Sequence, residues 1–281
     1  MAETDRAVTS SGAAAPGTRR VRVLVDADVS MPAAVAERLR IVVAPADAPL
    51  MEERQNIPRL LLEWSALPEV GVVVDQARQV AGGGEDVLYI SGDAHGHPME
   101  AEVAAREAVE AAGGRFAHMA APGVLMAAGW PAALAAEAAE AGAALDQVVE
   151  RASKATGRLI ALIEHPEMAG RETPGNPDTT NQILTYITHE GFSLISMPHR
   201  RDEGLRGLRD GFAEAVAGAS GVRVAVHHAG VRPAAEAMAT WIERHVQPAE
   251  IHVATITRHA ATRWGPGFVG IAWTADDSDA R

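Results

Sequence analysis

There is no cysteine among the 281 residues, which leaves neither a disulfide framework nor a thiol nucleophile open to this chain. Lysine is nearly missing too, Lys154 standing alone among many arginines in a chain heavy in Ala and Gly. That bias reads as the codon usage of a GC-rich bacterial genome and carries no functional content. Aromatic residues make up only 4%, so the core has to rest on Ala, Val, Leu, Ile and Met. Positive charge is in deficit: the formal net charge is −12 and the pI near 5.4. A nucleic-acid partner is therefore not expected, because neutralising phosphates needs a basic face that this composition cannot readily build. No apolar run reaches the length of a membrane span, and the first twenty residues lack an apolar signal core. Residues 1–19, small and polar, are expected to form a disordered tail. The cytoplasm is the expected location, and no cofactor is expected.

What is present is a chain long enough for one large or two modest domains, 47% hydrophobic and 22% charged. Its organising stretch runs from Asp86 to Ala105. Val87, Leu88, Tyr89 and Ile90 form a short apolar run between glycines, a buried strand. From Met99 onward Val103, Ala104, Ala108 and Ala111 recur at helical spacing among acidic residues, with Pro98 suited to a first turn. Between strand and helix lies a loop at the carboxyl end of the strand, where α/β proteins bind anions. It carries Ser91, Asp93, His95 and His97. Asp-x-His-x-His is too short for a metal signature without a distant third ligand, so no metal site is assigned. Plain solvated polarity is the alternative for this loop.

Strands and helices alternate on either side. Val21–Val25 reads as a strand ending in the acidic loop Asp26-Ala27-Asp28, and Met31–Leu39 as a helix with Ser30 as its N-cap. Ile41–Val43 is a strand, Ile57–Trp64 a helical cluster, and Arg115–Met119 another strand. Pro131–Ala155 is a long Ala-rich helical pattern interrupted by Gly142. Arg158–Ile163 is a strand, 167–180 a Gly/Pro/Asn-rich excursion, and Gln182–Thr188 and Phe192–Met197 are two strands or a helix and a strand. Then come a helix over Leu205–Val216, a strand at Val222–Val226, a helix over Ala234–His245, and strands at Ile251–Ile256 and Val269–Trp273. The expected fold is α/β in two lobes: a doubly wound parallel sheet over 20–157 and a lobe with a mixed sheet over 158–281.

Four places together resemble the DegV family of bacterial fatty-acid-binding proteins. Val25-Asp26-Ala27-Asp28 through Met31-Pro32 looks like that family's Asp-Ser opening with its Leu-Pro. Leu67-Pro68 begins the region of its Thr-Ser-Gln-Pro run. Ile90 to Gly96 aligns with its Ser-Ser-Gly-Leu-Ser-Gly-Thr loop, and Trp264 to Ile271 looks like its closing Thr-Gly-Pro-Gly-Ala-Leu-Gly-Ile. The order holds from about Val21 to Trp273. The resemblance implies a two-lobed fold with a fatty-acid carboxylate held between the lobes and the acyl chain buried inside. It also implies delivery of that acid to a separate acyl kinase rather than catalysis. Arg171 sits where the family often carries Gly-Gly-Arg and could pair a carboxylate. Gly265 and Gly267 would let backbone approach a ligand, or simply make a tight turn before the last strand.

Near the head group this chain differs from the family pattern. Gly92 replaces a Ser, His95 and His97 replace a Ser and a Thr, Arg263 replaces a His, and Val70 stands near an expected Thr. Hydroxyls have become imidazoles. Two readings follow. In the first, Ser91, Gly92, His95, His97, Arg171, Arg263, Gly265 and Gly267 surround the carboxylate of a fatty acid or related amphipathic acid. In the second, a biosynthetic enzyme on the same scaffold uses Asp93, His95 or His97 for acid–base chemistry on a hydrophobic, polyketide-like substrate. A third is an interaction protein presenting an exposed face of the Pro131–Ala155 helix.

Overall fold

The computed structural model describes residues 19–45, 47–48, 50–51, 70–92, 99–164, 182–188 and 191–276. Val21–Asp26 (β1), Val42–Ala44 (β2), Asp86–Gly92 (β3) and Phe116–Ala121 (β4) form a wholly parallel sheet in the order β2-β1-β3-β4. Ala33–Arg38 (α1) lies between β1 and β2 in sequence. The central strands β1 and β3 read as near-continuous apolar runs because both of their faces are covered. Leu24, Val87 and Tyr89 face a layer that includes Val70–Gly82 (α2) and Met99–Ala111 (α3), while Val23, Val25, Leu88 and Ile90 face a larger core on the other side.

That larger core is organised by Met126–Glu140 (α4). Every residue from Met126 to Ala136 is buried, as expected of a helix apolar all round. On one side lie β1 and β3. On the other lies a second sheet of Arg158–Glu164 (β5), Gln182–Thr188 (β6), Gly191–Ser196 (β7), Arg223–His228 (β8), Glu250–Thr255 (β9) and Val269–Thr274 (β10). Its order is β7-β6-β5-β10-β8-β9, antiparallel except where β8 and β9 run parallel, so the expected mixed sheet is present. The Trp130 indole N–H donates to the Ala272 carbonyl at 3.3 Å, tying α4 to the middle of that sheet. A separate core on the far face packs Phe212 of Arg201–Ala215 (α6) and Ile242 of Arg232–His245 (α7) against Trp273.

Several boundaries differ from the sequence expectation. The pattern over Pro131–Ala155 is two helices, α4 and Leu145–Ser153 (α5). Gly142, at φ 89°, stops the first: its own N–H reaches the Ala139 carbonyl and the Ala143 N–H the Ala138 carbonyl, the paired bonds of a left-handed helix end. With Met126–Ala136 buried, that part of the helix offers no face to a partner, which removes the reading of an interaction helix there. Ser30 is not an N-cap; it has φ 49°, and the helix starts at Ala33 after Pro32. The short helix Arg258–Trp264 (α8) was not anticipated, because it is capped from within a segment too short to show periodicity. The helical cluster at Ile57–Trp64 and the tail at 1–18 lie outside the described residues.

Pro131 sits inside α4 and brings no N–H, so the Ala127 carbonyl one turn back lacks its usual helical donor. Gly157, just before β5, backs onto that carbonyl. A Cβ there would stand 1.8 Å from the Ala127 oxygen and 2.6 Å from its carbonyl carbon.

Candidate functional site

In a parallel sheet ordered β2-β1-β3-β4, the chain turns opposite ways after β1 and after β3. The carboxyl ends of those strands are where such sheets open to ligands. Polar side chains collect there. Asp26 ends β1; Tyr89 and Ser91, two apart, project to the same side of β3; His118 of β4 pairs in register with Tyr89. The Tyr89 hydroxyl donates a short hydrogen bond to Asp26, and the Gly92 backbone N–H donates to it as well. Burial outweighs both and, with the Asp28 charge nearby, pushes the Asp26 carboxyl up to about 6. Burial and the Asp26 charge in turn raise the Tyr89 phenol. Replacing Tyr89 by Phe is expected to lift Asp26 above about 6 and to cost about 1.5–3 kcal/mol at pH above 7, the scale of a hydrogen bond to a charged group. An NMR titration of the Asp26 carboxyl checks the first; an unmoved midpoint would refute the bond.

Ser91 is buried, and its Oγ lies 2.9 Å from His118 Nε2. The other ring nitrogen, Nδ1, is 3.0 Å from a carboxylate oxygen of Glu102 in the first turn of α3. Arg106, one turn on, donates to the same carboxylate at 2.9 Å and holds Glu102 below the usual carboxylate range. Burial pulls His118 below the ordinary imidazole value, against an upward pull from Glu102. The Tyr89 and His118 rings are 5.3 Å apart.

The turn after β1 meets α8, which follows the second sheet. Thr257 caps α8 by accepting from the Ala260 N–H at 3.1 Å, and its own hydroxyl donates to Asp28 at 3.2 Å. The Thr257 N–H donates to Ser30 Oγ at 3.2 Å, and His259 lies 3.3 Å from Asp28. Arg263, in the last turn of α8, lays its guanidinium 4.9 Å from the centre of the Trp264 ring. Gly265 and Gly267 follow at φ 79° and 81°, conformations that favour glycine. Beside α4, His227 accepts the Met126 N–H on Nε2 at 3.2 Å, supplying from β8 the partner that the start of α4 lacks within its own chain segment. Its Nδ1 is buried without a partner, and burial pushes the imidazole down to about 3.

Of the residues expected from the sequence, Ser91 and Gly92 end β3, while Arg263, Gly265 and Gly267 close α8. Asp93, His95, His97 and Arg171 lie outside the described residues. A cleft of about 710 Å³ between α1, β2 and β9 is lined by Met31, Ile41, Leu50 and Val253, and shares Ser30 and Thr257 with the contact just described; neither Ser91 nor Arg263 lines it. Tyr89, His118, Glu102 and His227 were missed as site residues. Their signal was available only once strands were set in register: Tyr89 and His118 are far apart in sequence and neighbours in the sheet.

No protein-family model matches the chain. It is 26% identical to a DegV domain-containing protein of Streptomyces coelicolor over 280 residues, covering 90% of this chain and 98% of that one. The structure superposes on DegV, a fatty-acid-binding protein from Bacillus subtilis, with a TM-score of 0.70 at 16% identity, covering 92% of this chain and all (100%) of the other. A DegV lipid-binding protein from Thermotoga maritima gives a TM-score of 0.70 at 16% identity, over 92% and 99%. The architecture, a parallel sheet and a mixed sheet sharing one buried helix, is thus the DegV fold. The chain is thus similar in sequence to a DegV domain-containing protein and shares the fold of the DegV structures.

Proposed function

We propose that the protein binds a fatty acid or related amphipathic carboxylic acid between two lobes that part near residues 157 and 158. The observation that carries this reading is the match of fold along 92% of the chain to a fatty-acid-binding protein. The polar row at the carboxyl ends of β1 and β3 supports it by offering a head-group end beside an apolar core. In this reading the carboxylate meets Ser91, Gly92, Arg263 and the backbone of Gly265 and Gly267, with His95, His97 and Arg171 completing the site. The half-buried guanidinium of Arg263 and the two left-handed glycines favour that assignment. The protein works in the cytoplasm and hands its acid to a separate acyl kinase; nucleic acid is not a partner. Among the described residues no helix is long and apolar enough to cross a membrane.

Native mass spectrometry of protein purified from a bacterial host should reveal a retained acyl chain; a protein that is bare and takes up no added palmitate overturns the reading. Arg263→Ala is expected to weaken palmitate binding by about 1.5–3 kcal/mol, the scale for a hydrogen bond to a charged group. An unchanged dissociation constant by calorimetry would remove Arg263 from the head-group site.

A further inference from the structure

Ser91, His118 and Glu102 come from three elements and meet in a line, Oγ to Nε2 at 2.9 Å and Nδ1 to carboxylate at 3.0 Å. The placement of hydrogens follows from the two ends. Glu102, held ionised by Arg106, can only accept, so Nδ1 carries the ring hydrogen. Nε2 of the neutral ring is then a lone pair, and the hydrogen between Ser91 and His118 belongs to Ser91. Ser91 therefore commits its O–H to a base and turns its lone pairs toward whatever ligand meets it. A carboxylate takes a hydrogen bond from Ser91 only by drawing its O–H away from His118, whereas an electrophilic carbonyl carbon meets those lone pairs directly. Nucleophile, base and orienting carboxylate in hydrogen-bonded sequence are recognised by geometry and role, on many folds and in any chain order.

We propose that Ser91 is an acyl-accepting nucleophile, with His118 as its general base and Glu102 as the positioning residue, acting on a long-chain acyl thioester or ester. This rests on the reading that the site holds an acyl chain, and it makes the bound acid a product as well as a ligand. In the first step Ser91 Oγ bonds to the acyl carbon as its proton passes to His118 Nε2. The carbon–sulfur bond of the thioester breaks, and the departing thiolate takes that proton. In the second step a water oxygen bonds to the acyl carbon, its proton passes to Nε2, and the ester bond to Ser91 breaks. Oγ recovers the proton, and the free acid is left in the site. Ser91 is 1% exposed, so the carbonyl it attacks belongs to a chain already drawn into the protein, away from bulk water. Among the described residues, the titratable and charged groups facing His118 include Tyr89, Glu102 and Arg106, and Asp26 lies behind Tyr89.

The test is covalent capture on the full chain with a hexadecyl fluorophosphonate, read by intact mass, alongside release of nitrophenolate from p-nitrophenyl decanoate. One adduct per chain, mapped to Ser91 and absent from Ser91→Ala, is expected. His118→Gln, which keeps a hydrogen-bonding side chain but no base, should slow both reactions by roughly 10²–10⁴-fold, the usual contribution of a positioned base. Glu102→Gln should slow them less and move the acid limb of their pH dependence to lower pH, because the charge that lifts His118 is gone; a merely structural Glu102 would leave that midpoint in place and remove it from the relay. No adduct on the wild-type chain, or one that persists in Ser91→Ala, overturns the proposal. Native mass spectrometry of unlabelled protein with added palmitate separates the two readings: palmitate held by a chain that does not label sinks the nucleophile alone, and a chain that labels but, before labelling, holds no palmitate sinks the binding reading alone.

Discussion

Gly157→Ala is expected to cost about 3 kcal/mol or more and to lower the yield of folded protein. The added Cβ would overlap backbone, 1.8 Å from the Ala127 carbonyl oxygen and 2.8 Å from Ala127 Cα. Overpacking against side chains is usually relieved by rotamer changes at about 1–3 kcal/mol, but here the obstacle is the main chain of α4, itself buried between two sheets. Relief would have to move the helix away from β5, opening contacts with both sheets at once. Urea unfolding followed by far-UV circular dichroism measures the loss; a midpoint equal to wild type would show that the close approach is not made. Gly142→Ala, where no heavy atom lies within 4 Å of the added Cβ, should cost only the strain of φ 89°, about 1 kcal/mol.

Asp26→Asn is expected to make the protein sensitive to acid. His227 has a folded pKa near 3 against an ordinary 6.5. Between those values the unfolded chain holds the extra proton, so this group's contribution is complete above pH 6.5 and falls by about 1.4 kcal/mol per unit as the pH drops toward 3. Asp26 runs the other way. Its carboxyl is raised from 3.8 to about 6, so the folded chain holds the extra proton there, and its contribution is complete below 3.8 and lost as the pH rises through 6. From about pH 6 to 4 the two slopes oppose one another in the wild-type chain. Removing the Asp26 titration leaves His227 unopposed, and the gap in unfolding free energy between variant and wild type should widen by roughly 2–3 kcal/mol from pH 6.5 to 4. Urea titrations at half-unit steps measure it. Parallel curves would show that Asp26 is not raised.

The apolar runs at Val21–Val25 and Val87–Ile90, and the helical spacing from Met99 onward, were sufficient to place β1, β3 and α3. Local periodicity is written by the pleat and the helical turn themselves. In the second sheet it marked β5, β8, β9 and β10 as strands but left β6 and β7 open between two strands and a helix with a strand, and it gave the order of motifs that resembles the DegV family. Periodicity said nothing reliable about ends: Gly142 ended a helix where the pattern ran on, and Pro131, a residue that often begins helices, sits inside one. What decides those positions is α4 being enclosed by both sheets, which makes Met126–Ala136 apolar on every side and erases the amphipathic signal.

The site divides in the same way. Ser91 was legible because a hydroxyl at the end of a buried strand, before a loop and a helix, is unusual in one dimension. His118 was not, since a single histidine in a β4 strand has no sequence neighbour to explain it. Strand order β1-β3-β4 puts it beside Tyr89 and within reach of Ser91, and the winding of α3 brings Glu102 to its other nitrogen. His227 acquires its meaning only from a helix start a hundred residues away in sequence, whose N–H it accepts. By itself the sequence determined which segments bury and with what period, because hydrophobic burial acts along each element. The partners of buried polar groups were decided only by tertiary structure, because hydrogen bonds are short and directional, and only the packed chain sets which atoms stand within 3 Å of one another.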